Sequence, residues 1–316
     1  MATGFGTNVI FGFGEESTYG TPVASAKYLE IMEEAVKGEQ SWISKPTLRS
    51  PSQNQRVQSK KSVAGNIKMN MGYEGFERLL KHALGSNATT GTGPYTHAVS
   101  LATALPTGLT LHISRDAAAV GVGSAFEYDG CQITKMTLTQ SIEDLLMVDF
   151  EFVGQDFRNV NIDTPTYPTF YQIDWSQFSL TWNASAIAVR SFEVTLDNAL
   201  ADDRFNLGSR LRVGLGRSGP RKVSGKFEME FDSLTMYADF RDQSTTAALQ
   251  ATWVNGLSGA SAKALTVVIP KALIQAGEPS VSDAGPIVVS YEFEGFQDAA
   301  ANDEIGIGVV NSLSAI

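Results

Sequence analysis

One segment of this chain occurs twice, and it constrains the fold more than any other feature. Val63-Ala-Gly-Asn-Ile-Lys-Met-Asn-Met71 alternates Ile67, Met69 and Met71 with Asn66, Lys68 and Asn70. Side chains on a strand point to opposite faces at period two, so the spacing predicts a strand with one apolar and one polar face. Val223-Ser-Gly-Lys-Phe-Glu-Met-Glu-Phe231 repeats the glycine and the alternation in register, 160 residues on from Gly65 to Gly225. A helical pattern follows each copy. Tyr73, Phe76, Leu80, Ala83 and Leu84 lead to Gly85, suited to a C-terminal cap. Leu234, Met236, Tyr237 and Phe240 follow Asp232, expected as an N-cap.

A polar, basic loop precedes each strand, at 50–61 and 209–222, and each half closes alike, at Val148–Gly154 and Ser290–Gly295. Four matched features in one order point to internal duplication. The expected fold class is mainly β with a flanking helix per domain, in two tandem sandwich or barrel domains. The boundaries read as an N-terminal arm at 1–28, a first domain at 29–162, a linker at 163–168, a second domain at 169–300 and a C-terminal tail at 301–316. Pro165 and Pro168 mark the linker. With 316 residues, 43% of them hydrophobic, the chain has material for two cores rather than one.

Thirty-four acidic against 24 basic residues give a net charge of -10, the reverse of a nucleic-acid binder's basic footprint. One cysteine, Cys131, excludes an internal disulfide, and His82, His97 and His112 are too scattered for the usual zinc spacings. Neither a secretion signal nor an apolar run of bilayer-spanning length is recognisable, so the chain is expected in a cytoplasm or in particles built there.

Catalytic patterns are weak. Gly214-Leu-Gly-Arg-Ser-Gly219 spells a dinucleotide fingerprint, but Pro220 and then a strand follow, where the chemistry needs a helix N-terminus. Glu15-Glu16, Glu33-Glu34 and Asp202-Asp203 are adjacent pairs that point apart on a strand. Neither a metal-seating histidine pair nor a nucleophile elbow is present, so a non-enzymatic role without cofactors is expected. The polar strand faces are more informative: Asn66, Lys68 and Asn70; Asp149 and Glu151; Lys226, Glu228 and Glu230; Glu292 and Glu294. Such a face is either an ordinary solvated sheet surface or the wall of a pore.

The chain resembles the tail tube (major tail) proteins of long-tailed, non-contractile bacteriophages. The resemblance is carried by Gly14-Glu-Glu-Ser-Thr-Tyr-Gly-Thr-Pro22, by the strand and helix from Val63 to Gly85, and by Tyr95-Thr-His97. Leu105-Pro-Thr-Gly-Leu-Thr-Leu111, Gly130-Cys-Gln-Ile-Thr-Lys-Met-Thr-Leu138, Ser191-Phe-Glu-Val-Thr-Leu-Asp-Asn198 and Val223-Ser-Gly225 complete it. It implies a sandwich whose inner sheets join between subunits into one barrel around a channel, in rings that stack into a virion tube conducting the genome. Two such domains per chain imply a ring trimer with pseudo-sixfold symmetry, a hexamer being the alternative. The implied partners are further copies, the tape measure, terminator and distal tail proteins, and transient non-specific DNA, with no membrane. The resemblance also makes Arg49, Arg56, Lys60, Lys61, Arg210, Arg212, Arg217, Arg221 and Lys222 candidates for loops reaching the adjacent ring, and lets the terminal arm and tail bridge subunits.

Two rivals carry expectations of their own. A carbohydrate-binding or adhesive sandwich would present some of Trp42, Trp175, Trp182 and Trp253 as exposed platforms. A porin would need ~10-residue strands with aromatic girdles, and a secretion signal.

Overall fold

A computed structural model describes residues 7–46, 48–49, 55–115, 125–161, 163–214, 216–242, 246–281, 284–298 and 303–314. The first half contributes β1 (Ile10–Glu15), β2 (Lys27–Leu29), β3 (Glu33–Glu34), β4 (Lys37–Ser44), β5 (Arg56–Asn70), α1 (Glu77–Leu84), β6 (Gly85–Thr90), β7 (Tyr95–Leu101), β8 (Leu109–Ser114), β9 (Ala125–Ser141), β10 (Met147–Gly154) and β11 (Asp156–Val160). The second half contributes β12 (Phe178–Trp182), β13 (Ser185–Ile187), β14 (Ser191–Asp197), β15 (Lys222–Glu230), α2 (Thr235–Asp242), β16 (Ala247–Val254), β17 (Ala264–Ala276), β18 (Val288–Gly295) and β19 (Gly306–Asn311). All named strand pairings are antiparallel, and the mainly-β class with one flanking helix per half holds.

The same pairings run through both halves. β2–β1–β8 continues into the first part of β9, as β13–β12–β16 continues into the first part of β17. β3 and β4, then β5, β10 and the second part of β9 form a second layer, as do β14, β15, β18 and the end of β17. Registers agree as well. Gly65 lies opposite Phe152 and Asn66 opposite Glu151, as Gly225 lies opposite Phe293 and Lys226 opposite Glu292. Even the irregularities coincide: the ladder slips between Glu151 and Phe152 against β9, and between their counterparts Glu292 and Phe293 against β17. A Cβ on Gly65, which has φ +151°, would strike Ala35 O; one on Gly225 would strike Glu193 O. Both glycines let a neighbouring strand approach beside the bulge.

Several expectations need correction. Residues 10–15, read as part of an extended arm, are β1, with Phe11 and Phe13 fully buried. Residues 306–311, read as tail, are β19, which fills the gap between β7 of the first half and β17 of the second. The Gly14–Pro22 motif is a turn built round buried Glu16, whose carboxylate accepts from Gly20 N–H at 2.8 Å, Thr110 Oγ at 2.9 Å and Gly130 N–H at 2.7 Å. Residues 171 and 173, just past the expected linker at 163–168 and read as the start of the second domain, are clamped to the first half, through Tyr73 N–H to Tyr171 O and Leu146 N–H to Ile173 O. The main buried cluster runs without a break from Phe11 to Val309, one core where two were expected. α1 starts at Glu77 rather than Tyr73, because Gly75 at φ +95° interrupts the backbone first; Gly85 caps it as expected. α2 starts at Thr235, so Asp232 lies before the helix and is not its cap.

Candidate functional site

Edge to edge, the second layers of the two halves make one continuous sheet of eight strand positions, β3 and β4 sharing the one beside β5. β9 pairs with β14 from Lys135 opposite Asp197 to Ser141 opposite Ser191. On its inner face Ile67, Phe150, Phe152, Leu138, Val194, Phe227 and Phe293 are buried. All ten sequence-predicted wall residues share the other face: Asn66, Lys68, Asn70, Asp149, Glu151, Lys226, Glu228, Glu230, Glu292 and Glu294. Opposed positions in the ladders align them in rows, such as Asn70, Met147, Thr139, Glu193, Lys226 and Glu292.

Short polar contacts lace this face. Asn66 Nδ2 donates to Asp149 Oδ1 at 3.0 Å, Lys135 meets Glu151 at 3.2 Å and Lys68 meets Glu33 at 3.4 Å. In the second half Lys222 meets Glu294 at 3.6 Å and Lys226 meets Glu193 at 3.8 Å. Lys37, Lys68, Lys135, Lys222 and Lys226 are lysines of the face. Its carboxylates include Glu33, Glu39, Asp149, Glu151, Glu193, Asp197, Glu228, Glu230, Glu292 and Glu294. The carboxylates outnumber the lysines, so the surface is net negative and repels phosphate, with Lys68, Lys135, Lys222 and Lys226 each beside a carboxylate.

The predicted basic loop residues divide. Arg49 and Arg56 lie on the exposed β4–β5 hairpin, Arg56 stacking on Trp42 at 4.6 Å. Lys60 and Arg210 are exposed near its base and also engaged within the chain, Lys60 over the Phe205 ring at 5.2 Å and Arg210 Nη1 donating to Gln58 Oε1 at 2.9 Å. The others are engaged within the chain. Lys61 pairs with Asp156 at 2.6 Å, and buried Arg212 donates to Gly154 O at 3.3 Å. Arg217 and Arg221 donate to the carbonyls of Thr103 and Ala102, and Lys222 belongs to the sheet face rather than a loop. Lys61 N–H donates to Arg210 O, so the two loops touch each other.

Other groupings were invisible in the sequence. Ser25 Oγ lies 2.8 Å from His112 Nδ1, and His112 Nε2 2.8 Å from Glu127, which Arg158 also engages. Residues 87 positions apart meet here because β1 pairs with both β2 and β8, and residues 15 apart because β8 pairs with β9. The distances are those of a hydroxyl–imidazole–carboxylate relay, but the guanidinium ties the carboxylate into a structural ion pair. Glu74 forms a buried ion pair with Lys263 and accepts from Ser312 Oγ at 2.6 Å, fastening the halves together. Glu15 is held down to about 2 by its hydrogen bond from His82 and then by Lys81, whereas burial keeps His82 itself neutral by lowering its pKa. Burial pushes the Cys131 thiol up, as suits a core residue. Glu15 and Glu16 point apart, as do Glu33 and Glu34, which pair with Lys68 and Arg115 respectively. Trp182 and Trp253 are buried, leaving Trp42 and Trp175 as the exposed tryptophans. Gly214 to Gly219 leads into β15 and not into a helix.

A two-layer antiparallel scaffold with one acidic face and open sheet margins defines a structural building block. A family model of the phage tail tube protein matches residues 6–295, and the chain belongs to that family. It is a structural protein of the virion tail, where it assembles into the tube with other tail components. No curated protein matches the chain.

Proposed function

We propose that three copies close into a ring of six sheet units around a channel, and that stacked rings form the conduit through which the genome passes into the host. The β9–β14 joint carries this reading. It joins the second layer of one half to that of the other, which leaves β3–β4 at one margin and the end of β17 at the other. Those margins belong to the strands corresponding to β14 and β9, so a further copy can continue the sheet at either side. Repeating one joint closes a ring, and closure removes the sheet edges that invite aggregation.

The coincident registers support duplication of an ancestral unit, with β1 counted in the first copy and β19 in the second. The acidic face then lines the channel, where net negative charge keeps contact with DNA transient. The exposed hairpin with Arg49, Arg56 and Lys60 reaches the next ring; single exposed ion pairs there contribute ~0–1 kcal/mol, enough for register rather than adhesion. Tape measure, terminator and distal tail proteins are the remaining partners, the tail is of the non-contractile type, and assembly takes place in the host cytoplasm. Negative-stain microscopy with mass measurement of the purified protein tests the reading. Three chains per ring are expected. Six chains per ring would overturn the trimer, and a compact monomer at high concentration would overturn the tube.

A further inference from the structure

The chain contains a model of its own inter-subunit contact, and residue correspondences follow from the registers. Ala35 crowds Gly65 as Glu193 crowds Gly225, and Lys37 opposes Ala64 as Thr195 opposes Ser224. Lys37 therefore corresponds to Thr195, and Gln40 to Asn198. On the other margin Ala276 opposes Glu292 as Lys135 opposes Glu151, at the same bulge. Glu278 therefore corresponds to Thr137.

Within the chain the joint is well made. Thr137 and Thr195 face each other with hydroxyls 3.0 Å apart. Asn198 donates through Nδ2 to Ala83 O at the end of α1, at 2.8 Å, and to Ile133 O at 3.1 Å. β19 lies beside α1, with Asn311 Nδ2 donating to Tyr73 O at 2.9 Å.

The two outer margins hold the matching halves of such a joint. Lys37 and Glu278 are exposed and of opposite charge where the internal joint has two threonines. Gln40 Nε2 is buried without a hydrogen-bond partner among the described residues, at the position from which Asn198 reaches across. α2 packs against β17 alone among the strands named for it, and only Met236 of its residues is buried; Leu234, just before it, is 66% exposed. One departure is self-consistent. Pro279 takes the place of Leu138 and brings no N–H to the joint. Val36 O, which would face it, already accepts from Arg115 Nη2 at 2.8 Å and Tyr128 OH at 3.1 Å.

We propose that residues 33–40 of one copy join residues 276–281 of a second copy, with β11 of the first lying over α2 of the second. This reproduces between chains the joint that β14 and β19 make with β9 and α1 within the chain. Lys37 pairs with Glu278 across it, and Gln40 donates to carbonyls at the end of α2. The inference rests on the ring reading and specifies its contact residues.

A cysteine pair tests it in the full-length protein, where native Cys131 is buried. Asn198 N–H donates to Thr134 O, so the 137/195 pair falls between ladder bonds, where Cα atoms ~4.5 Å apart suit a disulfide. Oxidised Thr137→Cys/Thr195→Cys should close within each chain and serves as the control. Lys37→Cys/Glu278→Cys should link copies into covalent rings on denaturing gels, and neither single variant should. If microscopy shows rings while the double variant stays monomeric on the gel and the control closes, the inference is overturned with the ring reading intact. A wild-type protein that forms no rings at all defeats the ring reading itself. As a second measurement, Gln40→Ala with Leu234→Glu should raise the protein concentration needed for ring formation by about tenfold or more. Its unfolding midpoint should not move, and unchanged ring formation would equally overturn the contact.

Discussion

The two halves use one scheme of strand pairing, yet their helices live in different surroundings. Six of the eight residues of α1, among them Leu79, Leu80 and Ala83, are buried against β6, β7, β9 and β19. In α2 only Met236 is buried. The strand faces differ as well. On the first half Lys37, Lys68 and Lys135 stand against Glu33, Glu39, Asp149 and Glu151; on the second Lys222 and Lys226 stand against Glu193, Asp197, Glu228, Glu230, Glu292 and Glu294. The cover over α1 thus comes largely from its own half, through β6, β7 and β9, with β19 of the second half added, whereas α2 packs chiefly against β17. A ring of such chains would alternate weakly and strongly acidic sectors.

The sharpest way to break the comparison is at the paired glycines. Gly65→Ala and Gly225→Ala should each destabilise the chain by about 3 to 5 kcal/mol, Gly65→Ala the more because its φ is positive. Denaturant midpoints check this, and a mild effect at either site would end the equivalence of the two strands. Next comes the helix contrast. Leu80→Ala should cost about 2 to 5 kcal/mol, whereas Leu234→Ala should stay within about 0.5 kcal/mol in the separate chain.

Acid sensitivity should belong to the first half. Glu15, lowered to about 2 from 4.5, stabilises the fold above 4.5, and that contribution is lost as the pH falls toward 2. His82, kept neutral by burial, adds a loss that begins as the pH drops below 6.5, where the unfolded chain takes up the proton. Glu15→Gln should remove about 1 to 2 kcal/mol at neutral pH, allowing for partial exposure, and flatten the acid limb of urea midpoints measured against pH. Smallest of all, Lys68→Ser and Lys226→Ser should each shift stability by less than about 0.5 kcal/mol. A larger shift at either would mean that the wall's ion pairs hold the sheet together.

Much of this was legible beforehand, for reasons that particular residues make plain. Ile67, Met69, Phe227 and Met229 alternate cleanly with polar neighbours, so the wall strands and their outward residues could be read directly. β1 and β19 escaped because glycine occupies alternate positions, at Gly12 and Gly14 and at Gly306 and Gly308. That pattern looks like loose chain, but Gly12 makes room for Ser25 and the Tyr28 ring. The roles of Arg212, Arg217 and Arg221 were hidden for another reason: a basic run reads as a solvated loop, and only the fold brings the carbonyls of Gly154 and Ala102 to it. The joint between halves depends on contacts such as Glu74 with Lys263, whose partners no local pattern relates.

β19 also sets a clock for synthesis. His97 on β7 meets Asn311 at the end of β19 across 214 residues of sequence. At ~5–20 residues per second a ribosome needs roughly 10 to 40 s to bridge that interval. Throughout it the growing polypeptide carries an unzipped margin along β7, which neighbouring nascent chains or chaperones are free to engage.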